Sequence, residues 1–200
     1  MAEPFRCGLV LLAAGASTRM GRPKQLLPVG GRPLLRVVAE AALAAPVAPV
    51  IVVLGAHAAE IAPCLDGLAV RVLAHDGWAE GMGSSLRAGM AALLAGGETF
   101  DGVVVALADQ PELSAAHLAR LVATHRETGR SIVASRRAGV WQPPAFFAAG
   151  HFAELQASAG DAGARRLLQA HRADLIAVDW AGQDLDTPGD YENFQAGGGS

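Results

Sequence analysis

The chain predicts an α/β fold of three layers, a mainly parallel central sheet with helices on both faces. Three observations carry this expectation. Short, nearly unbroken apolar runs at 7–14, 50–54 and 103–108 have the make-up of strands buried on both faces. Stretches of helical periodicity lie between them, the alternation of a parallel sheet with crossover helices. The runs stop at Gly15, Gly55 and Asp109, where a strand would hand over to a ligand-binding loop.

Taken in order, residues 7–14 form the first strand, and Pro28–Gly31 makes a turn. Leu34 to Ala45 has helical spacing and strong helix formers, and Pro46 ends it. Val50–Leu54 is a second strand, and Ala58–Leu65 a short helix weakened by Pro63. Val70–Ala74 is a third strand, followed by an irregular, glycine-rich stretch over His75–Gly83. Ser84 or Ser85 caps a helix running to Ala95, where Gly96-Gly97 stops it. Val103–Ala108 is the fourth strand, and Ser114 caps a helix to Thr128, closed by Gly129. Ser131–Ser135 is a short strand, Phe146–Ser158 and Ala162–His171 are helices, Leu175–Val178 is a last strand and Pro188–Phe194 a last helical turn or two. The stretch 136–160 is the least regular and leaves room for a substrate-binding insertion. No linker-like break divides the chain, so 1–195 reads as a single domain, and 196–200 as a flexible Gly/Ser tail.

Composition narrows the function. With 52% apolar and 18% charged residues the chain is long and apolar enough for a well-buried core. A net charge of −3 argues against a nucleic-acid or anionic-membrane partner, both of which need a basic surface. Cys7 and Cys64 are too far apart in sequence to suggest a C-x-x-C metal or redox motif. No signal peptide or apolar stretch of membrane-spanning length is evident, so the expected location is cytoplasmic.

The stretch LVLLAAGASTRMGRPKQLL at 9–27 is the most informative. An apolar strand gives way to Gly15, Ala16, Ser17 and Thr18, and then Arg19, Gly21 and Lys24 follow closely. Glycine lets backbone approach an anion, consecutive N–H groups make an anion-binding concavity, and the two cations supply countercharge. It is not the dinucleotide fingerprint, because five non-glycine residues separate Gly15 from Gly21. Nor is it the P-loop, because Arg22-Pro23 precede Lys24 and Gln25 follows it.

Ligands of open α/β sheets sit at the carboxyl ends of strands, which gives the other motifs the same address. Asp109, where the run VVVALA stops, faces the basic loop as a Mg²⁺–nucleotide site requires, or it caps the turn before Pro111. Asp186 in Asp184-Leu185-Asp186-Thr187-Pro188 offers a second carboxylate, or an N-cap for a helix opening at Pro188. Ser84 and Ser85 sit where a helix start would bind an anion or a base edge, and plain capping is the alternative. Asp161 and Arg165 in Gly160-Asp161-Ala162-Gly163-Ala164-Arg165-Arg166 repeat the theme of glycine, acid and cation, with surface ion pairing as the alternative for Arg165. The scattered histidines, His117 and His125 among them, receive no role; Trp141 and Trp180 read as core or lid.

Together these segments resemble a known family. LAAGASTRMGRPKQLLP at 12–28 is similar to the signature of the MobA-like nucleotidyltransferases. GWAEGMGSSLRAG at 77–89, ALADQP at 106–111, GDAGARRLL at 160–168 and DLDTPGDY at 184–191 resemble its molybdenum cofactor cytidylyltransferase (MocA-like) branch. The resemblance implies a Rossmann-like transferase that moves CMP from CTP, or a nucleotide from another NTP, to molybdopterin cofactor or another phosphorylated acceptor, with Mg²⁺ as cofactor and pyrophosphate as product. It implies catalytic roles for Lys24, Arg19 and Asp109, nucleotide contacts from Leu12, Ala13, Ala14, Gly15, Ala16, Ser17, Arg19, Lys24, Ser84, Ser85 and Asp109, metal ligation by Asp109 and Asp186, and acceptor contacts from Gln110, Asp161 and Arg165. A client molybdoenzyme is an implied partner. Leu12-Ala13-Ala14-Gly15 stands where the guanylyl branch typically has LAGG, which leans toward cytidine. Gln142-Pro143-Pro144-Ala145 replaces the G-H-P-V-like segment frequent in the cytidylyl branch. The rival readings are a MobA-like guanylyltransferase, a methylerythritol-phosphate cytidylyltransferase, and a nucleotide-binding chaperone for a molybdoenzyme that does not turn over.

Overall fold

A computed structural model describes residues 4–197. Its centre is one seven-stranded sheet built from β1 (Cys7–Ala13), β4 (Val50–Leu54), β5 (Arg71–Ala74), β6 (Gly102–Leu107), β7 (Ile132–Arg137), β8 (Val140–Ala148) and β9 (Ile176–Asp179), in the order β5-β4-β1-β6-β8-β7-β9. β1 pairs in parallel with β4 and β6, β4 with β5, and β7 with β9; β8 alone runs against its neighbours β6 and β7. All seven residues of β1 and all five of β4 are buried, because both faces of these strands are covered.

The two faces follow the side-chain alternation of a strand. Leu9 and Leu11 of β1 point into one core with Leu34, Leu35 and Val38 of α1 (Leu34–Leu43), Leu118 and Leu121 of α4 (Ala115–Thr128), and Tyr191 of α7 (Pro188–Gly197). Val10 and Leu12 point into the other with Leu86 and Met90 of α3 (Met82–Leu94), Leu155 of α5 (Phe152–Gln156), and Leu167 and Leu168 of α6 (Gly163–Ala170). Besides four short 3-10 helices, the remaining elements are a short helix α2 (Ala58–Ile61) and a small antiparallel hairpin, β2 (Pro28–Val29) with β3 (Arg32–Pro33). That hairpin stands where a plain turn is expected; Gly30 and Gly31, with φ of 55° and 77°, make its reversal. Among the described residues no helix is long and apolar enough to cross a membrane.

Two expectations fail. Phe146–Ser158 is not one helix. Its first residues complete β8, Ala149–His151 form a 3-10 turn, and only Phe152–Gln156 are α-helical. The run Ala145-Phe146-Phe147-Ala148 suits a buried helix and a buried strand equally, and periodicity cannot separate them. Sheet pairing decides: Val103, Val104 and Val105 pair with Phe147, Phe146 and Ala145. Pro143 and Pro144 are accommodated because the β7–β8 register slips between Ala134 and Ser135, and a bulge tolerates residues without an N–H. It follows that the irregular stretch 136–160 is no appended insertion, since its core is a central strand. Of the stretch 196–200, α7 includes residues up to Gly197, and 198–200 lie outside the described residues.

Candidate active site

The carboxyl ends of β1, β4 and β6 open onto one edge, and β8, being reversed, enters the sheet from that same edge with Pro143. The loop after β1 is shaped from beneath by Gln25. Its side chain is buried, and Nε2 donates to the carbonyls of Ala13 at 2.8 Å and Gly15 at 3.0 Å, while Oε1 accepts from Ser17 Oγ at 3.3 Å. Ser17, held at φ 55°, accepts the Lys24 backbone N–H on its Oγ at 3.1 Å. These bonds close the loop into a ring that projects Lys24 back toward the end of β6.

Lys24 Nζ there meets two carboxylates, Asp109 Oδ2 at 2.5 Å and Asp186 Oδ1 at 2.9 Å. Arg19 reaches Asp186 Oδ2 at 3.1 Å from an exposed position. Asp186 is free to do this because it is not the helix cap. Thr187 caps α7 instead: Asp190 N–H donates to Thr187 Oγ1 at 3.2 Å, and Thr187 N–H donates to Asp190 Oδ2 at 2.8 Å, a reciprocal capping box. The segment is tied to the end of β6 by Leu185 N–H donating to the Asp109 carbonyl at 2.8 Å.

Burial and charge oppose each other in this cluster. Burial pushes the Asp109 carboxyl up, Lys24 pulls it back and the nearby Asp184 adds to the rise, leaving it above the ordinary carboxylate range. Burial pulls Lys24 down, but Asp109 and Asp186 outweigh it and hold the ammonium protonated. Asp186 is raised by burial and lowered more strongly by Lys24 and Arg19, ending below its ordinary value. Asp109 Oδ1 is buried without a hydrogen-bond partner among the described residues. An orphaned carboxylate oxygen is costly unless a ligand satisfies it. With Asp186 across Lys24, the donor set fits a hard divalent cation held by one or two carboxylates.

Two cavities meet at this cluster. The first, about 370 Å³, runs from Ala13–Ala16 past Trp78 to Ser85 and Asp109. The second, about 350 Å³, is lined by Arg19, Pro143, Asp161, Arg165 and Asp186. Gly15, Lys24, Met82, Leu107, Asp109 and Asp161 border both. Beside them, close backbone approach joins the start of α3 to the segment before α6. Gly83 N–H donates to the Gly160 carbonyl at 2.7 Å, and a Cβ on Gly83 would fall 2.6 Å from the Ala159 backbone.

The chain matches the model of the MobA-like NTP transferase domain over residues 9–175. It belongs to this family. Nicotine blue oxidoreductase of Paenarthrobacter nicotinovorans is 38% identical over 192 residues, spanning 89% of this chain and 91% of its own length. Purine catabolism protein PucB of Bacillus subtilis is 34% identical over 96% of this chain and 97% of its own. The crystal structure of Rv0371c from Mycobacterium tuberculosis H37Rv superposes with a TM-score of 0.82 at 29% identity, over 96% of this chain and 98% of that one. Rv0371c has also been solved in complex with manganese. The protein is thus a nucleotidyltransferase of the MobA-like type with a Rossmann-like fold.

Against this MobA-like frame, the structure gathers most of the sequence-derived candidates at one edge. Leu12, Ala13, Ala14, Gly15, Ala16, Lys24, Ser85 and Asp109 line the first cavity. Ser17, Arg19, Asp161, Arg165 and Asp186 line the second. Two candidates are corrected. Ser84 lines neither cavity: its buried hydroxyl donates toward the carbonyls of Gly77 and Gly81, both at 2.9 Å, and lies 3.0 Å from His75 Nε2. It is tied into the loop over His75–Gly83, and neither Ser84 nor Ser85 is the cap, since α3 begins at Met82 after Gly81. Gln110 is fully buried and lines neither cavity; its Nε2 donates to Pro143 O at 3.0 Å and Asp184 Oδ1 at 2.9 Å, tying β8 to the Asp184 segment, while its Oε1 is buried without a hydrogen-bond partner among the described residues. Residues that sequence reasoning missed are Gln25, Trp78 and Met82. A polar side chain directly after Lys24 in an otherwise apolar Gln25-Leu26-Leu27 was the available signal for Gln25.

Proposed function

We propose that this protein transfers CMP from CTP to a phosphorylated acceptor of molybdopterin type and releases pyrophosphate. What carries the reading is the meeting of two cavities at Lys24, Asp109 and Asp186, one for the nucleotide and one for the acceptor. A phosphate oxygen of the acceptor attacks the α-phosphorus of CTP in line. A new P–O bond forms, the bond from the α-phosphorus to the α,β-bridging oxygen breaks, and that oxygen leaves with the pyrophosphate.

Asp109 and Asp186 would hold the divalent cation, Mg²⁺ in this reading, which when bound neutralises phosphate charge as a Lewis acid. The loop Ala13–Ser17 presents backbone to the triphosphate. Lys24, released from its carboxylates, stabilises charge at the α-phosphate and on the leaving group. Arg19 supplies a planar fork for phosphate oxygens, and Arg165 with Asp161 receives the acceptor. Positioning and charge neutralisation account for the rate, since the protein itself forms no covalent bond. Ala13-Ala14 in place of LAGG supports cytidine over guanosine.

The test is pyrophosphate release from each of four NTPs, with and without Mg²⁺, against molybdopterin cofactor and other phosphorylated acceptors. CTP with Mg²⁺ is expected to be turned over fastest, and to raise the thermal midpoint more than GTP does. Lys24→Ala and Asp109→Asn are each expected to lower turnover by about 100- to 1,000-fold with the fold retained. Near-normal rates in either variant remove that residue from the mechanism. CTP binding with no turnover against any acceptor selects a nucleotide-binding chaperone. The name of the relative from Paenarthrobacter nicotinovorans favours a second reading, an oxidation–reduction in the same cavity. Reduction of nicotine blue by a supplied hydride donor, with the donor oxidised and no pyrophosphate released, would select it.

A further inference from the structure

Outside both cavities, on the helical face formed by α5 and α6, three side chains converge: His151, Glu154 and His171. His151 Nδ1 lies 2.9 Å from Glu154 Oε1, and His171 Nε2 lies 2.8 Å from Glu154 Oε2. The donor atoms all fall within 4.8 Å of one another. We propose that His151, Glu154 and His171 form a transition-metal site, with zinc as its ion, distinct from the carboxylate site at Lys24.

The donor chemistry is the first argument. Two imidazoles and one carboxylate are the ligand set of a three-ligand zinc centre, with water completing the tetrahedron. The hard-cation site at Asp109 and Asp186 offers oxygen only, so the two sites select different metals. The second argument is geometric. Around zinc at about 2.0–2.1 Å from each ligand, adjacent donors stand about 3.3 Å apart. The observed 2.9 and 2.8 Å run to different oxygens of Glu154, Oε1 from His151 Nδ1 and Oε2 from His171 Nε2, so the carboxylate has to turn to bring one oxygen to this spacing from both nitrogens. Small turns of the half-exposed Glu154 and the partly exposed His171 supply this.

Support around the ligands is the third argument. His151 Nε2 is 3.0 Å from Ser131 Oγ, the outer hydrogen bond that fixes a metal-bound imidazole in place. His151 is itself buried, and its ring lies edge-on to that of His171 at 4.7 Å. His151 and Glu154 are three residues apart, opening α5, so they share a face by local geometry alone. His171 is the C-cap of α6, directly after its last residue Ala170, and the other end of that helix follows Asp161 and carries Arg165. A metal here pins both ends of the 151–171 segment and steadies the wall of the acceptor-side cavity.

Cobalt(II) titration of the full chain in excess Mg²⁺ tests this, because Mg²⁺ fills an all-oxygen site and competes weakly for imidazole. The expected result is one cobalt per chain with the visible absorption of a four- or five-coordinate nitrogen-containing site, displaced by zinc. Glu154→Gln and His171→Asn, both on the exposed side, should abolish that absorption while keeping the far-UV CD spectrum and the CTP-induced thermal shift. Ser131→Ala should weaken binding about 10- to 100-fold through the outer hydrogen bond. No such absorption in the wild-type chain, or equal absorption in Glu154→Gln and His171→Asn, overturns the proposal and leaves a metal-free carboxylate–imidazole clamp.

Discussion

His117, given no role on sequence grounds, turns out to hold the bulge that admits β8. Its Nε2 lies 2.7 Å from Ser135 Oγ, which donates to the Pro144 carbonyl at 2.6 Å. Since the serine hydrogen is committed to Pro144, the neutral ring must carry its own hydrogen on Nε2. The ring also stacks on Trp180 at 5.3 Å. Burial, with Arg120 second, pushes its pKa down to about 4. In the unfolded chain a histidine titrates near 6.5, so between pH 6.5 and 4 the unfolded state binds the extra proton. The stabilisation is therefore complete above pH 6.5 and lost as pH falls toward 4. Urea unfolding of the wild-type chain and His117→Gln at pH 7.5, 6, 5 and 4 checks it. The stability advantage of the wild type should shrink across that window, and an advantage independent of pH would refute the assignment. Gln25 teaches the complementary lesson. Lys24 and Asp109 were legible as charges beside a loop, but Gln25 acts through three bonds to atoms that only the closed loop brings near it. No local pattern encodes that.

At the scale of elements, α3 shows how closely the helices must approach the sheet. A Cβ on Gly89 would fall 2.5 Å from Val10 Cγ1 and 2.9 Å from Val53 Cγ2. Both valines are β-branched, stiff at χ1 and fixed in central strands, so neither can turn away. Gly89→Ala gains up to about 1 kcal/mol of helix propensity and loses about 1–3 kcal/mol to overpacking. The expected net is destabilising, with a thermal midpoint lower by a few degrees, and a raised midpoint would show that α3 can lift off the sheet without cost. Because Ser85 on the same helix lines the first cavity, the variant should also bind CTP more weakly. Most elements were legible in the sequence for a related reason: β1, β4 and β6 are buried on both faces, and their composition says so without knowledge of any partner. The failure at β8 has the opposite origin. Its alanine- and phenylalanine-rich run acquires strand character from pairing with β6 and β7, more than a dozen residues away for β6, and its prolines advertise a break rather than a bulge. The reversal of β8 is made by the two-residue turn Ala138-Gly139, both at positive φ, and it is what delivers Pro143 to the site edge.

For the whole molecule, the question is whether one sheet makes one cooperative unit. Both helical layers are built on the same strands, with alternate residues of β1 belonging to opposite cores. The carboxyl-terminal segment returns to the beginning of the chain: Tyr191 Oη donates to the Pro28 carbonyl at 2.7 Å, and Leu185 N–H donates to the Asp109 carbonyl at 2.8 Å. Cutting the sheet between β6 and β8 would expose Val103, Val104, Val105, Phe146 and Phe147, all fully buried. Losing one half would strip the other of an apolar face, at a cost of about 1.5–3 kcal/mol for each such side chain exposed. We therefore predict a single two-state transition in urea, in which far-UV CD and tryptophan fluorescence coincide. The three tryptophans make this a discriminating measurement. Trp78 reports the loop beside β4 and the first cavity, while Trp141 and Trp180 report β8 and the end of β9. Versions of the chain that keep only Trp78 or only Trp180 should give the same midpoint as CD, and saturating CTP with Mg²⁺ should move all three midpoints together. An earlier transition at Trp180 than at Trp78 would mean that residues beyond about 130 unfold as a separate unit, and that the acceptor side of the site opens without the nucleotide side.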